Sequence, residues 1–311
     1  MKTPYPSQVA YQDALQNPAL CFALAELRAL VPLDKTPYGL PAPITGQFAN
    51  VYRMGGSDGK AWAIKLFLRS LPERLARYDA LAAHRAALAP VPDWFTPFVY
   101  HEAGIRVGGA TFPVLQMPWL ADAVPLNFYV DAVINTPNAV EQLRGAWRVL
   151  VEEMETARFA HGDLQHGNIL VSIGEGGTPR FHLLDYDGST VPTLAGTLSG
   201  EGGHPAYQHP RRTTGEGSLT VDRFAAIAVD AALTILAEAP ELWYRFDNGD
   251  NLLWRREDFA ETRAPGRALS ALTQSPNAVI RRAAASFRAV CESPVSLVPP
   301  LDRFAFLMDS I

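Results

Sequence analysis

His161-Gly162-Asp163-Leu164-Gln165-His166-Gly167-Asn168 is followed, 17 residues after Asn168, by Asp185-Tyr186-Asp187-Gly188. Asp163 comes just after a predicted helix, Ala139–Arg158, at the start of a loop. A carboxylate there can accept a hydrogen bond from an incoming hydroxyl and orient it for attack on a phosphate. Asn168, five residues on, offers a neutral oxygen to a metal from the same loop. Asp185, at the end of a short predicted strand, adds an anionic oxygen. Mg2+ takes a few hard oxygens of this kind and fills its remaining positions with phosphate and water. HGD and DYDG are each ordinary turn sequences alone; their order and spacing carry the reading.

Upstream, Ala61-Trp62-Ala63-Ile64-Lys65 reads as an apolar strand ending in an amine. Lysines at strand ends commonly snorkel to water. An amine on a half-buried strand is otherwise costly unless an anion meets it, and a nucleotide phosphate is such an anion. The segment before it, Thr45-Gly46-Gln47-Phe48-Ala49-Asn50-Val51-Tyr52, has the form of a phosphate loop. Gly46 is retained, and Ala49 stands where another glycine is expected.

Working outward, residues 1–37 read as a helical N-terminal extension, with apolar residues at loosely helical spacing from Gln8 to Leu30 and Pro18 interrupting. Ile44–Met54 and Ala61–Leu68 read as strands joined by the turn-rich Gly55–Lys60. Ser70-Leu71-Pro72-Glu73 has the form of a capping box with an early proline, and Leu71, Leu75, Tyr78 and Ala82 would then share one helix face. Gly108-Gly109 predicts a two-residue hairpin between Ile105–Val107 and Thr111–Met117. These elements describe a small α+β lobe over residues 38–120. Residues 121–311 are mainly helical, with a short hairpin formed by Ile169–Val171 and Phe181–Leu184. Val221–Ala237 is apolar on nearly all sides and belongs at the centre of its lobe.

The chain has 311 residues, long for one core, which points to two lobes or domains. Its formal net charge is −5, with 27 basic and 32 acidic residues interspersed, which argues against nucleic acid or an anionic membrane as partner. No signal-peptide run or membrane span is evident, so a cytoplasmic location is expected. Cys21 and Cys291 are read as free thiols, and no CxxC pair announces a structural zinc.

With these residues in place the chain resembles the eukaryotic-like (Hanks-type) protein kinase superfamily, in a divergent bacterial branch, from about Tyr38 to the C-terminus. Gly203-His204-Pro205-Ala206-Tyr207-Gln208-His209-Pro210-Arg211 is similar to the G-T-P-x-Y-x-A-P-E that ends a kinase activation segment. Asp222-Arg223-Phe224-Ala225 resembles the D-x-W-S that opens the family's central helix, whose Asp holds the backbone at His161 and Gly162. Small-molecule phosphotransferases share HGD and the second Asp but generally lack these two segments. The resemblance implies a bilobal α+β fold, with a small antiparallel-sheet N-lobe and a mainly helical C-lobe. ATP and Mg2+ are the implied cofactors, with Asp163, Lys65 and Asn168 catalytic and Asn168 and Asp185 holding the metal. Gly46, Ala49 and Lys65 would face the phosphates. Met117 takes the gatekeeper position and Pro118-Trp119-Leu120 the hinge, with Leu120 donating its N–H to adenine and Val51, Ala63 and Leu170 covering the ring. The implied activity is γ-phosphoryl transfer to Ser/Thr hydroxyls of a protein substrate, beside a phosphatase or another signalling partner. A pseudokinase and a small-molecule phosphotransferase remain alternatives.

Four departures from the family pattern shape the expectations. Gly162 replaces the Arg that often pairs with an activation-loop phosphate, so Ser189, Thr190, Thr193, Thr197 and Ser199 are not expected to form an obligatory phospho-switch. Gln165 replaces a Lys, a charge that His166 or a metal would have to supply. The acid pairing with Lys65 is expected at Asp79 or Glu73. Arg211 replaces a Glu and is expected to find Glu241, Glu257 or Asp258. His161 is read as a packing residue under Tyr186.

Overall fold

The computed structural model describes residues 4–197, 202–213, 215, 217–246 and 249–309, without the side chains of 306–309. The protein is mixed α+β, with an antiparallel sheet and several helices. It divides into two compact units, residues 1–82 with 96–121 and residues 83–95 with 122–311.

In the first unit, α1 (Gln8–Ala14), α2 (Pro18–Cys21) and α3 (Ala25–Arg28) precede β1 (Val31–Pro32), β2 (Ile44–Thr45), β3 (Ala49–Gly55) and β4 (Ala61–Phe67). Helix α4 (Arg74–Ala87), of which residues 74–82 belong to this unit, β5 (Val99–Val107) and β6 (Ala110–Pro118) follow. Ser7 caps α1 through its side chain, and Pro18 takes the first turn of α2, where its missing N–H is harmless. The sheet order is β1-β3-β4-β6-β5, antiparallel throughout, with β2 paired to β3. Gly108 and Gly109, both at positive φ, make the turn between β5 and β6. The expected single strand over 44–54 is two strands, because the chain reverses at Gly46–Phe48, where Gly46 N–H donates to Ala49 O at 2.9 Å.

Strand periodicity gives this sheet two distinct faces. Tyr52, Met54, Ile64, Leu66, Phe112 and Val114 form one hydrophobic core with Tyr11, Leu15, Phe22 and Leu27 of the N-terminal segment. The Tyr11 hydroxyl donates to Phe67 O at 2.8 Å. Residues 8–30 are therefore part of this unit's core.

One correction concerns α4. Its buried positions are Arg74, Arg77, Tyr78 and Leu81, whereas Leu75 and Ala82 are exposed. The inward face is rotated by about one residue from the apolar pattern, because the arginines bury their stems. Arg74 lies over the Phe67 ring at 3.8 Å and donates to Arg69 O.

The second unit contains β7 (Val124–Pro125), α5 (Leu126–Val133), α6 (Ala139–Thr156), β8 (Ile169–Ile173) and β9 (Pro179–Leu183). It continues with α7 (Arg223–Glu238), α8 (Glu241–Phe246), α9 (Arg256–Ala260), α10 (Ala268–Leu272), α11 (Ala278–Glu292) and α12 (Leu301–Asp309). Strands β7, β8 and β9 form a small antiparallel sheet. Residues Phe224 to Leu236 of α7 are all buried, as its uniform apolarity requires. The single acid within that run, Asp230, is fully buried and takes a two-point contact from Arg148 at 2.7 and 3.2 Å, with Arg144 at 3.3 Å.

Residues 83–95, expected within the small lobe, belong to this unit instead. His84 Nε2 meets Ala157 O at 2.8 Å, Leu183 N–H donates to Trp94 O, and the Phe95 ring packs against Phe159 and Tyr186 at 4.8 and 5.2 Å. Cys21 and Cys291 are buried free thiols. Among the described residues no helix is long and apolar enough to cross a membrane.

Candidate functional site

The second unit builds its site on the loop that follows α6. Asp222, just before α7, accepts hydrogen bonds from the backbone N–H groups of His161 and, at 2.9 Å, Gly162. This is the contact that the family resemblance implied for Asp222. Burial pushes the Asp222 carboxyl up, while the His161 ring, the two peptide N–H groups and the Arg212 guanidinium pull it down. His161, fully buried, places Nε2 2.6 Å from Leu184 O and its ring 5.9 Å from that of Tyr186, in the packing role expected of it. The Tyr186 hydroxyl donates to Leu183 O at 2.7 Å.

The loop itself is braced by Asn168. Its Nδ2 donates to both Asp163 O and Asp163 Oδ2, each at 3.0 Å. The other carboxylate oxygen, Oδ1, accepts from His204 N–H at 2.6 Å. Asp163 is half-buried, and each of its oxygens retains a second lone pair for an acceptor hydroxyl. With the Asn168 nitrogen committed, its oxygen is the atom available to a cation. Leu184 N–H donates to Asn168 O at 2.9 Å, which ties Asp185 beside Asn168. Asp185 sits at φ 62°, ψ 71°, a left-handed conformation that few non-glycine residues adopt. An amide oxygen and a neighbouring carboxylate suit a hard, oxygen-seeking ion such as Mg2+. No group of three or more His, Cys, Asp or Glu that could by itself hold a metal ion occurs among the described residues.

Gln165 and His166 are engaged elsewhere. Gln165 Oε1 accepts from Gly167 N–H at 2.7 Å and caps the short turn over His166–Asn168. His166 is buried, with Nδ1 2.8 Å from the Tyr207 hydroxyl. Ser189 and Thr190 are buried, and Ser189 donates to His161 O at 3.1 Å. Thr193 and Thr197 are exposed, and Ser199 lies outside the described residues. Leu170, half-buried on β8, pairs with His182 and Pro125.

In the first unit the register gathers the other expected residues on one sheet face. Val51 lies opposite Lys65, and Ala63 opposite Met117. This is the face away from the N-terminal helices. Lys65 is buried, with Nζ 5.4 Å from the centre of the Phe67 ring. Gly46 is exposed at the β2–β3 turn, and Ala49 is buried opposite Phe67. Pro118 ends β6, and the next N–H, that of Trp119, donates to Ala61 O at 2.9 Å, ahead of Leu120.

Of the two acids expected beside Lys65, Glu73 is half-buried just ahead of α4. Asp79 is exposed, on the side of α4 away from its buried arginines. Arg211 is exposed and makes no ion pair among the described residues. Its proposed partner Asp258 instead accepts from the backbone N–H groups of Arg255 and Ala268. Another arginine, Arg256, anchors the segment by donating to Gln208 O and Pro210 O. Sequence reading missed Gln208, whose Nε2 lies 3.4 Å from Gly162 O, and Arg212, which donates to Gln208. The only signal was two polar residues close to Asp222 in the chain. Compared with known protein families and with curated proteins, the chain matches none.

Proposed function

We propose that this protein transfers the γ-phosphoryl group of ATP, with Mg2+, to Ser or Thr hydroxyls of a protein, as a divergent member of the bilobal protein-kinase superfamily. The observation that carries the proposal is the loop from His161 to Asn168. Its backbone is clamped by Asp222, and its Asp163 carboxylate is braced by Asn168 and followed in space by Asp185.

Asp163 orients the acceptor hydroxyl and takes its proton as the new O–P bond forms and the bond between the γ-phosphorus and the β,γ-bridging oxygen breaks. Asn168 and Asp185 hold Mg2+, which offsets charge on the phosphates. Within the first unit, Lys65, Val51, Ala63 and Met117 share one sheet face, where Lys65 is the candidate for a nucleotide phosphate and the other three supply apolar surface. Most of the barrier lowering in such a reaction comes from positioning and from fixed charge.

A second reading, a nucleotide-binding module without transfer, draws on Asp163 already accepting bonds at both oxygens. One incubation separates the two. Labelled ATP and Mg2+ are supplied to the wild type and to Asp163→Ala with a generic basic protein as acceptor. Label on the acceptor that disappears in the variant supports transfer. Thermal stabilisation by nucleotide without label transfer supports the second reading and overturns the first. Transfer to small hydroxylated molecules but not to protein would replace the acceptor class.

A further inference from the structure

The Asp163 loop carries one carboxylate and is clamped by a second, that of the half-buried Asp222. A carboxylate withdrawn from water and held only by neutral donors is expensive, so a compensating cation has physical value there. Arg212 is half-buried, and its guanidinium is attracted electrostatically to both acids. Its Nη1 donates to Gln208 Oε1. Gln208, itself buried, turns its Nε2 toward Gly162 O at 3.4 Å. That oxygen belongs to the peptide joining Gly162 to Asp163.

The seat for this amide is closely shaped. A Cβ on Gly203 would lie 2.3 Å from Gln208 Nε2 and 2.9 Å from Gly162 O. The main chain of Gln208 is held as well, since Arg256 donates to its carbonyl and, at 3.0 Å, to Pro210 O. Gln208 is thus restrained at both ends, and it links a cation to the peptide that aims Asp163.

We propose that Arg212 is a positioning residue: acting through Gln208, it fixes the Gly162–Asp163 peptide, and its charge balances Asp163 and Asp222, so that Asp163 stays aimed at its acceptor without a phosphorylated side chain. The catalytic part of this inference rests on the phosphotransfer reading above; the loop-fixing part does not.

The test uses the full chain with Arg212→Ala and, as a milder change, Gln208→Ala. Deuterium uptake is followed in peptides covering residues 160–168, and label transfer from ATP is measured over a range of nucleotide concentrations. In both variants, amides of that loop are expected to exchange about tenfold faster while peptides from α11 are unchanged. The transfer rate at saturating ATP should fall roughly 10- to 100-fold, with KM for ATP within about threefold of wild type. Methylguanidine should restore part of the rate to Arg212→Ala and none to Gln208→Ala. Unchanged exchange in the loop of both variants overturns the inference. So does a loss of rate in Arg212→Ala that methylguanidine leaves untouched. A wild type that transfers no label removes the phosphotransfer reading, and the exchange data still decide whether Arg212 fixes the loop.

Discussion

Gly162 packs so closely on Gly188 that a Cβ added to it would stand 2.3 Å from the Gly188 carbonyl oxygen. The same residue is at φ +81°, where any side chain is strained. No arginine can occupy this position with the backbone as it stands, so the absence of that residue before Asp163 follows from the packing of the two loops. Gly162→Ala should cost about 2–4 kcal/mol, because the obstructing atom is backbone and cannot rotate away. Urea denaturation monitored by tryptophan fluorescence would show it, and a midpoint equal to wild type would contradict it.

Asp222 accepts hydrogen bonds from two peptide N–H groups, those of His161 and Gly162. Asp222→Ala leaves both without this acceptor, at about 1–3 kcal/mol each. Asp222→Asn keeps one acceptor oxygen and should lose about half as much. Comparing the two variants by chemical denaturation separates the hydrogen bonds from the volume of the side chain.

Two imidazoles, the half-buried His182 and the buried His209, set an acid limit on stability. Burial lowers the pKa of His182 and His209 below the ordinary 6.5, and His209 donates to Val290 O as a neutral ring. The unfolded chain therefore binds protons that the folded chain refuses, so stability rises with pH through this range. It is fully present above about pH 6.5 and lost as pH falls below that value. Thermal melts across about pH 5–8 should show the decline, and His209→Gln should flatten it. A variant that melts with the same pH slope as wild type would refute the assignment to His209.

The N-terminal segment should behave as core. Phe22 is fully buried and bridges to Ile105 of β5. Phe22→Ala is expected to cost about 3–5 kcal/mol, a large share of a domain's usual stability. Removal of residues 1–30 should leave the first unit unable to fold, which limited proteolysis and circular dichroism would detect. A truncated chain with a wild-type melting profile would show that these helices are accessory.

Features with a local cause were legible in the sequence. Pro18 marked the break between α1 and α2, Gly108-Gly109 fixed a hairpin, and the apolar run of α7 announced a buried helix. The spacing of Asp163, Asn168 and Asp185 was readable because a short loop and one hairpin join them. Side chains whose partners lie far along the chain were not. The burial of Arg74 and Arg77 was not legible, since periodicity treats arginine as polar and ignores its apolar stem. Arg211 looked like an ion-pair partner by analogy, yet the neighbouring Arg212 and the distant Arg256 are the arginines that hold the segment. Gln208 reaches Gly162 across 46 residues, a distance at which no pattern of hydrophobicity or capping speaks.

Residues 8–30 cover one face of the sheet in the first unit. A regulator acting there would have to peel away α1–α3 first, and so would have to melt part of the interior as it bound. Control by simple addition of a partner is confined to the sheet's edges and to the opposite face, where Lys65 lies.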